Sequence, residues 1–381
     1  MQIESLSLID QGDALAVTWP DGQVSRFHAV WLRDNALDAD SRDANNGQRL
    51  ISILDVPADS RIESAKVVGD GVVQLQMSPG AKQLAFPSAW LREHSYDQQD
   101  NAAACWMPSE VTTWDGALLP EVPHGDYQAL QSNRDALGQW LSQVREYGVA
   151  SMSNVPCEPG SVCQVAELFG YVRETNYGRY FDVKSEVDPI NLAYTGLGLQ
   201  AHTDNPYRDP VPTLQLLGCL KNTAEGGESI VVDGFRAVQR LGEEAPEMLE
   251  ILSRYPARFC FAGDSEVNLR SRQPMIDIAA DGCLNAVRFN NRSIAPVVDV
   301  PFDHLADYYA AYRKFAEIIT DPAMQISFKL QAGDLFIVNN RRVLHSRLAF
   351  SGAGTRWLQG CYADLDGLYS TLRVIEQQVS G

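Results

Sequence analysis

His202 and Asp204 stand two residues apart in Gln200-Ala201-His202-Thr203-Asp204, and a second histidine, His345, follows far downstream in Leu344-His345-Ser346. On an extended segment, residues two apart leave the same face of the backbone, so this imidazole and carboxylate point together. A further imidazole completes a set of two histidines and one carboxylate. Such a set suits Fe(II) and leaves coordination positions open for substrate and O₂. Taken alone, the His-x-Asp pair fits equally a histidine capped by its neighbour. Arg356 lies eleven residues beyond His345 (356 − 345) in Gly354-Thr355-Arg356-Trp357. A guanidinium one strand past a metal ligand would hold a carboxylate bidentately.

The elements that must carry these groups are legible as strands. Phe336–Val338, the turn Asn339-Asn340-Arg341-Arg342 and Val343–His345 read as strand, Asn-rich turn, strand. Further strand-like runs are Leu214–Leu220, Ile230–Val232, Arg258–Phe261, Phe328–Leu330 and Val149–Val155. Asn133 caps a predicted helix ending near Gly148, and other helices are expected at Gly160–Phe169, Pro246–Ser253 and His304–Thr320. The last would bury Tyr308, Tyr309, Tyr312 and Phe315. Strands dominate, helices flank them and no βαβ rhythm appears, which argues for an antiparallel barrel or jelly roll.

Residues 1–96 read as a small β domain of short strands, with apolar runs at Ala14–Trp19, Val24–Trp31, Leu50–Val56 and Val72–Met77. Ala29-Val30-Trp31-Leu32-Arg33 returns as Ser88-Ala89-Trp90-Leu91-Arg92, the mark of two related strand–helix corners. Residues 97–128 are polar and Pro-punctuated and read as a linker, leaving 129–381 for the larger domain.

Composition bounds the rest. The chain has 381 residues, 45% hydrophobic and 21% charged, with a formal charge of −18. That balance argues against nucleic acid or an anionic membrane surface as a partner and suits a cationic small molecule. The N-terminus has neither a basic lead nor an apolar segment, and no apolar run is long enough to span a bilayer. Seven scattered cysteines, none in a CxxC pair, suit reduced thiols in the cytoplasm.

With these residues in view, the chain resembles the γ-butyrobetaine hydroxylase family of Fe(II)- and 2-oxoglutarate-dependent dioxygenases. The resemblance covers nearly the whole sequence and rests on Asn191-Leu192-Ala193-Tyr194, His202-Thr203-Asp204, Gly226-Gly227-Glu228-Ser229 and Val232-Asp233-Gly234-Phe235 together with His345 and Arg356. It implies a double-stranded β-helix with iron on His202, Asp204 and His345, and 2-oxoglutarate on Arg356. It also implies O₂ as co-substrate, possible stimulation by ascorbate and a homodimer. Many family members bind structural zinc through cysteines after Trp-Leu-Arg-Asp-Asn; here the matching stretch, Asn35–Arg42, has none, so no zinc is expected. His28 and His94 then become structural or surface residues.

A ring of aromatic faces attracts a quaternary ammonium, which cannot donate hydrogen bonds. By resemblance Tyr177, Phe181, Tyr194 and Tyr362 form that cage, with Phe181 where a tryptophan is common, whereas Tyr180 reads as a core aromatic. Asn191 and Asn291 match the amides that hold a substrate carboxylate. Arg292 departs from that pattern, and a guanidinium suits a phosphonate better than a carboxylate. With the missing thiolates, this makes the chain look more like the [2-(trimethylamino)ethyl]phosphonate dioxygenases, a sister group. γ-Butyrobetaine hydroxylation forming carnitine is the alternative substrate assignment. Two other classes stand beside it, a non-catalytic quaternary-amine binding protein and a zinc hydrolase in which Arg356 would have no role.

Overall fold

The structure, a computed structural model, describes residues 2–96, 106–118, 122–184, 198–262, 266–350 and 354–380. Its contacts divide the chain into two units, Met1–Ala104 and Cys105–Gly381.

In the first unit β1 (Ser5–Ile9), β2 (Ala14–Thr18) and β3 (Val24–His28) form one antiparallel sheet. A second is made by β4 (Arg61–Val68), β5 (Val72–Ser78) and β6 (Lys82–Pro87). β3 alternates exposed and buried positions, burying Ser25 and Phe27, as a strand with one wet face must. Both Trp-Leu-Arg repeats are strand–helix corners: β3 runs into α1 (Ala29–Asp34) and β6 into α2 (Ser88–Glu93). Leu32 and Leu91 anchor the corners in a core with Leu15, Val17, Trp19, Phe27 and Phe86.

Leu50–Val56 is not a strand. Ile53–Asp55 is a 3₁₀ turn with Leu50, Ile53 and Leu54 exposed. Ser52 and Asp55 cap it reciprocally, and this local bonding competes with sheet pairing. Within Asn35–Arg42, Asp38 accepts from Ser41 Oγ and lies 2.9 Å from Lys82 Nζ. Burial works against the Asp38 charge, but Lys82 and Ser41 hold its carboxyl below the ordinary range. His28 stacks on Tyr96 and His94 on Trp90, both structural contacts.

The second unit contains β7 (His124–Asp126), β8 (Val149–Ser153), β9 (Phe181–Val183), β10 (Leu199–His202), β11 (Leu214–Asn222) and β12 (Ser229–Asp233). Two hairpins follow, β13 (Pro256–Phe261) with β14 (Leu269–Pro274) and β15 (Ile276–Ile278) with β16 (Leu284–Val287). The last strands are β17 (Gln325–Phe328), β18 (Leu335–Asn339), β19 (Val343–Arg347) and β20 (Arg356–Ala363). They build a four-stranded sheet, β10-β19-β12-β17, and a six-stranded one, β7-β8-β18-β11-β20-β9. Val231, Ile326 and Val343 of the first pack on Leu217, Phe336, Val338 and Leu358 of the second. The fold class is therefore mainly β with flanking helices.

Helices α3 (Tyr127–Ser132), α4 (Arg134–Tyr147), α5 (Ser161–Glu167), α6 (Gly234–Glu244), α7 (Pro246–Arg254), α8 (Phe302–Thr320) and α9 (Leu365–Ser380) flank these sheets. Leu141 of α4, Val165 of α5 and Leu368 of α9 cover the six-stranded sheet, while α6 and α8 share a core with β12 and β16. Asn133 caps α4 as expected, its Oδ1 accepting from Asp135 and Ala136 N–H. Two details differ from expectation. Tyr309 is half exposed on α8 while Ala311, Ile318 and Ile319 share the buried side with Tyr308 and Phe315. The stretch read as linker carries buried Trp114, whose Nε1 donates to Tyr147 O, and then β7, parallel to β8. Residues 97–105 lie outside the described residues. Cys157, Cys163, Cys219, Cys260, Cys283 and Cys361 are free thiols, and no helix among the described residues is long and apolar enough to cross a membrane.

Candidate metal centre and substrate cavity

Antiparallel pairing of β10 with β19 sets His202 directly opposite His345. Their ring centroids are 4.4 Å apart. Asp204 follows just past the end of β10, with Oδ1 3.4 Å from His202 Nε2 and 3.9 Å from His345 Nε2. One ligand atom from each of the three lies within 4.8 Å of the others. Two imidazoles and a carboxylate at that spacing fit one ferrous ion, with further positions open.

The surroundings hold the donors in place, as supporting bonds do at metal sites. His202 Nδ1 is 2.7 Å from Gln200 O, so it carries the proton and leaves the Nε2 lone pair for metal. Asp204 Oδ2 accepts from Gln215 Nε2 at 2.6 Å and from the Tyr362 hydroxyl at 2.7 Å, leaving Oδ1 toward the histidines. Asn340, in the β18–β19 turn, accepts from Asp204 N–H and donates to Asp204 O and Pro212 O. Burial pushes the Asp204 carboxyl up, but His202, His345 and Tyr362 outweigh it and hold the group well below the carboxylate range. Burial first, and the His202 charge second, lower His345 to about 3, against the opposing pull of Asp204. Both groups are therefore in their metal-binding protonation states.

The donors face a cavity of about 460 Å³. Arg356 lines it from the start of β20, with Nε buried and without a hydrogen-bond partner among the described residues. Burial lowers Arg356 to about 10. The Gly226-Gly227 pair makes room for it: Gly227 has φ +72°, and a Cβ there would sit 3.2 Å from Arg356 Cδ and Nε. A buried guanidinium with an unused donor fits a carboxylate of 2-oxoglutarate.

Tyr177, Phe181 and Tyr362 also line the cavity, with Phe181 5.2 Å from Tyr362 and 6.1 Å from Tyr177 between ring centroids. Tyr194 and Asn191 lie outside the described residues. Tyr180 is exposed rather than core. Asn291 does not line the cavity; its amide donates to Gln200 Oε1 and accepts from Tyr312. Its neighbours Asn290, Arg292 and Ser293 do line it.

Sequence reasoning missed several groups. Phe261 and Tyr207 extend the aromatic wall, Phe261 lying 5.9 Å from Tyr177 and 5.2 Å from Tyr207. Tyr177 and Tyr207 hydroxyls are 2.9 Å apart, and Tyr207 donates to Asn205 Oδ1. Arg347, two residues beyond His345 on the same strand face, was recoverable from that spacing. Phe261 carried no local signal.

Comparison with known proteins agrees with this geometry. The family described as "Taurine catabolism dioxygenase TauD, TfdA family" matches residues 111–362, and "Gamma-butyrobetaine hydroxylase-like, N-terminal" matches residues 6–95. A γ-butyrobetaine dioxygenase of Pseudomonas sp. (strain AK-1) is 37% identical over 95% of this chain and 94% of that protein. The Homo sapiens γ-butyrobetaine dioxygenase is 29% identical over 99% of this chain and 98% of its own. A mitochondrial trimethyllysine dioxygenase of Gallus gallus is 30% identical over 98% of this chain and 90% of that protein. Catalysis thus replaces the reading as a mere binder. The chain belongs to the γ-butyrobetaine hydroxylase-like branch of the TauD/TfdA dioxygenases and is an Fe(II)- and 2-oxoglutarate-dependent oxygenase, its iron held by His202, Asp204 and His345.

Proposed function

We propose that the enzyme hydroxylates C1 of [2-(trimethylamino)ethyl]phosphonate, a step in organophosphonate catabolism, while 2-oxoglutarate and O₂ become succinate and CO₂. The observation that carries the head-group assignment is Arg292 on the wall of the cavity that also holds the triad and the aromatic rings. Three arginines (292, 347 and 356) and one carboxylate, Asp204, line that cavity among the described residues, so it favours anions even though the whole chain is acidic.

Fe(II) with 2-oxoglutarate and O₂ supplies the oxidising power that exchanges C–H for C–OH. The protein supplies position and shelter. Arg356 takes the distal carboxylate of the co-substrate. Tyr177, Phe181, Tyr194 and Tyr362 take the trimethylammonium, and Arg292 takes the anionic head together with the Asn191 amide, while Asn291, bonded to Gln200 and Tyr312, supports the turn that carries Arg292. In this reading the two packed sheets are a double-stranded β-helix, or jelly roll, and the enzyme acts as a cytoplasmic homodimer, which light scattering in solution checks.

A second reading, γ-butyrobetaine hydroxylation, is favoured by the 37% identity to a γ-butyrobetaine dioxygenase. Succinate release measured side by side with both substrates decides between them. The phosphonate reading expects higher kcat/KM with the phosphonate. It also expects Arg292→Ala to lose at least about a hundredfold on that substrate, the scale of a bidentate charge-assisted contact. Intact phosphonate turnover in Arg292→Ala would sink it.

A further inference from the structure

The segment Phe289–Ser293 is fastened on both sides. Toward the metal, Thr203 N–H donates to Phe289 O at 2.8 Å, Phe289 N–H donates to Thr203 Oγ1 at 3.2 Å, and Asn290 Nδ2 donates to Thr203 O at 3.1 Å. Thr203 sits between the ligands His202 and Asp204. On the other side, Cys260 N–H donates to Ser293 O at 2.8 Å and Ala295 N–H to Arg258 O at 2.8 Å. Asn290 Oδ1 closes the turn by accepting from Arg292 N–H at 3.1 Å. The turn is therefore fixed in relation to the iron ligands without lending them a side chain.

Within this turn Ser293 is anomalous. It lines the cavity, yet its Oγ is buried without a hydrogen-bond partner among the described residues. A buried hydroxyl is ordinarily bonded, and an orphan in a ligand cavity marks a contact that the ligand completes. Its sequence neighbour Arg292 lines the same cavity. A hydroxyl and a guanidinium together match an oxyanion with more acceptor oxygens than one guanidinium can fill.

We propose that Ser293 is a specificity-determining residue whose hydroxyl donates to an oxygen of the substrate's anionic head, beside Arg292. This rests on the reading of the substrate as a trimethylammonium zwitterion. Ser293 does not touch the metal and takes no part in hydrogen abstraction, so it acts on binding rather than on the chemical step.

The test is calorimetric titration of the enzyme loaded with Fe(II) and 2-oxoglutarate without O₂. The ligands are [2-(trimethylamino)ethyl]phosphonate, γ-butyrobetaine and the truncated cation propyltrimethylammonium, and the proteins are wild type, Ser293→Ala and Ser293→Thr. Ser293→Ala should weaken the preferred zwitterion roughly ten- to a hundredfold, as loss of a hydrogen bond to a charged group does. It should leave the truncated cation unchanged, raise KM more than it lowers kcat, and be restored by Ser293→Thr, which keeps the hydroxyl. Wild-type zwitterion affinity in Ser293→Ala would overturn the role of Ser293 alone. Equal loss of the truncated cation would mean a general packing defect and would likewise overturn it. If wild type itself binds the zwitterions no better than the truncated cation, the substrate reading falls, and this proposal with it.

Discussion

At the scale of single residues, the triad is held ready by protonation as much as by position. His345 stays neutral in the folded protein down to about pH 3, because burial first and the neighbouring His202 charge second disfavour its imidazolium. In the unfolded chain an imidazole titrates near 6.5. Between those values the unfolded state binds a proton that the folded state refuses, so stability of the metal-free protein falls as pH drops from about 6.5 toward about 3. Asp204, held below its ordinary range, adds a loss of the same sign only below about pH 4. Melting curves of the chelated protein across that window check this, with His345→Gln expected to flatten the upper part. Superimposable profiles would refute it. The three ligands and Arg356 were legible because spacing and chemistry coincide there. Ser293, Gln215 and Phe261 were not, since nothing in a sequence says which polar atom ends up without a partner or which ring turns inward.

At the scale of elements, the turn joining β18 to β19 does two jobs. Asn340 ties it to Asp204, while Arg342 is buried against Asp233, with Nη2 to Oδ2 at 2.8 Å and Nε to Oδ1 at 2.9 Å. Asp233 also caps α6 through Phe235 N–H and accepts from Trp114 N–H. Arg342 further donates to Glu146 O and Thr112 O. Removing one partner of such a pair strands the other, so Arg342→Met should cost about 3–5 kcal/mol. The double variant Arg342→Met with Asp233→Leu should recover part of that loss. Chemical denaturation measures both, and a single variant as stable as wild type would contradict the assignment. Strand positions and the two corner repeats were readable from alternation and turn chemistry. α6 is harder to read, because its capping residue Asp233 ends a strand and is followed directly by Gly234, a poor helix former. The Leu50–Val56 run misled because apolar content alone does not outweigh a capped turn.

At the scale of the whole molecule, each unit has its own core, and the metal ligands all belong to Cys105–Gly381. Fe(II) should therefore raise the melting transition of the catalytic unit, by about 2.7 kcal/mol at a hundredfold excess over Kd, and chelation should reverse this and abolish turnover. A transition from the N-terminal unit should stay where it is. Calorimetric scans with and without Fe(II) under anaerobic conditions distinguish the two, and an iron-insensitive catalytic unit would speak against the centre. The net charge of −18 does not describe the cavity, which gathers three arginines beside its aromatic rings, because global charge averages over surface that never meets the substrate. The stitching of Phe289–Ser293 to Thr203 has a last consequence for the cavity wall. Since backbone atoms and Asn290 carry the fastening, the cavity-facing side chains at 292 and 293 can be exchanged without loosening the turn from the ligand strand.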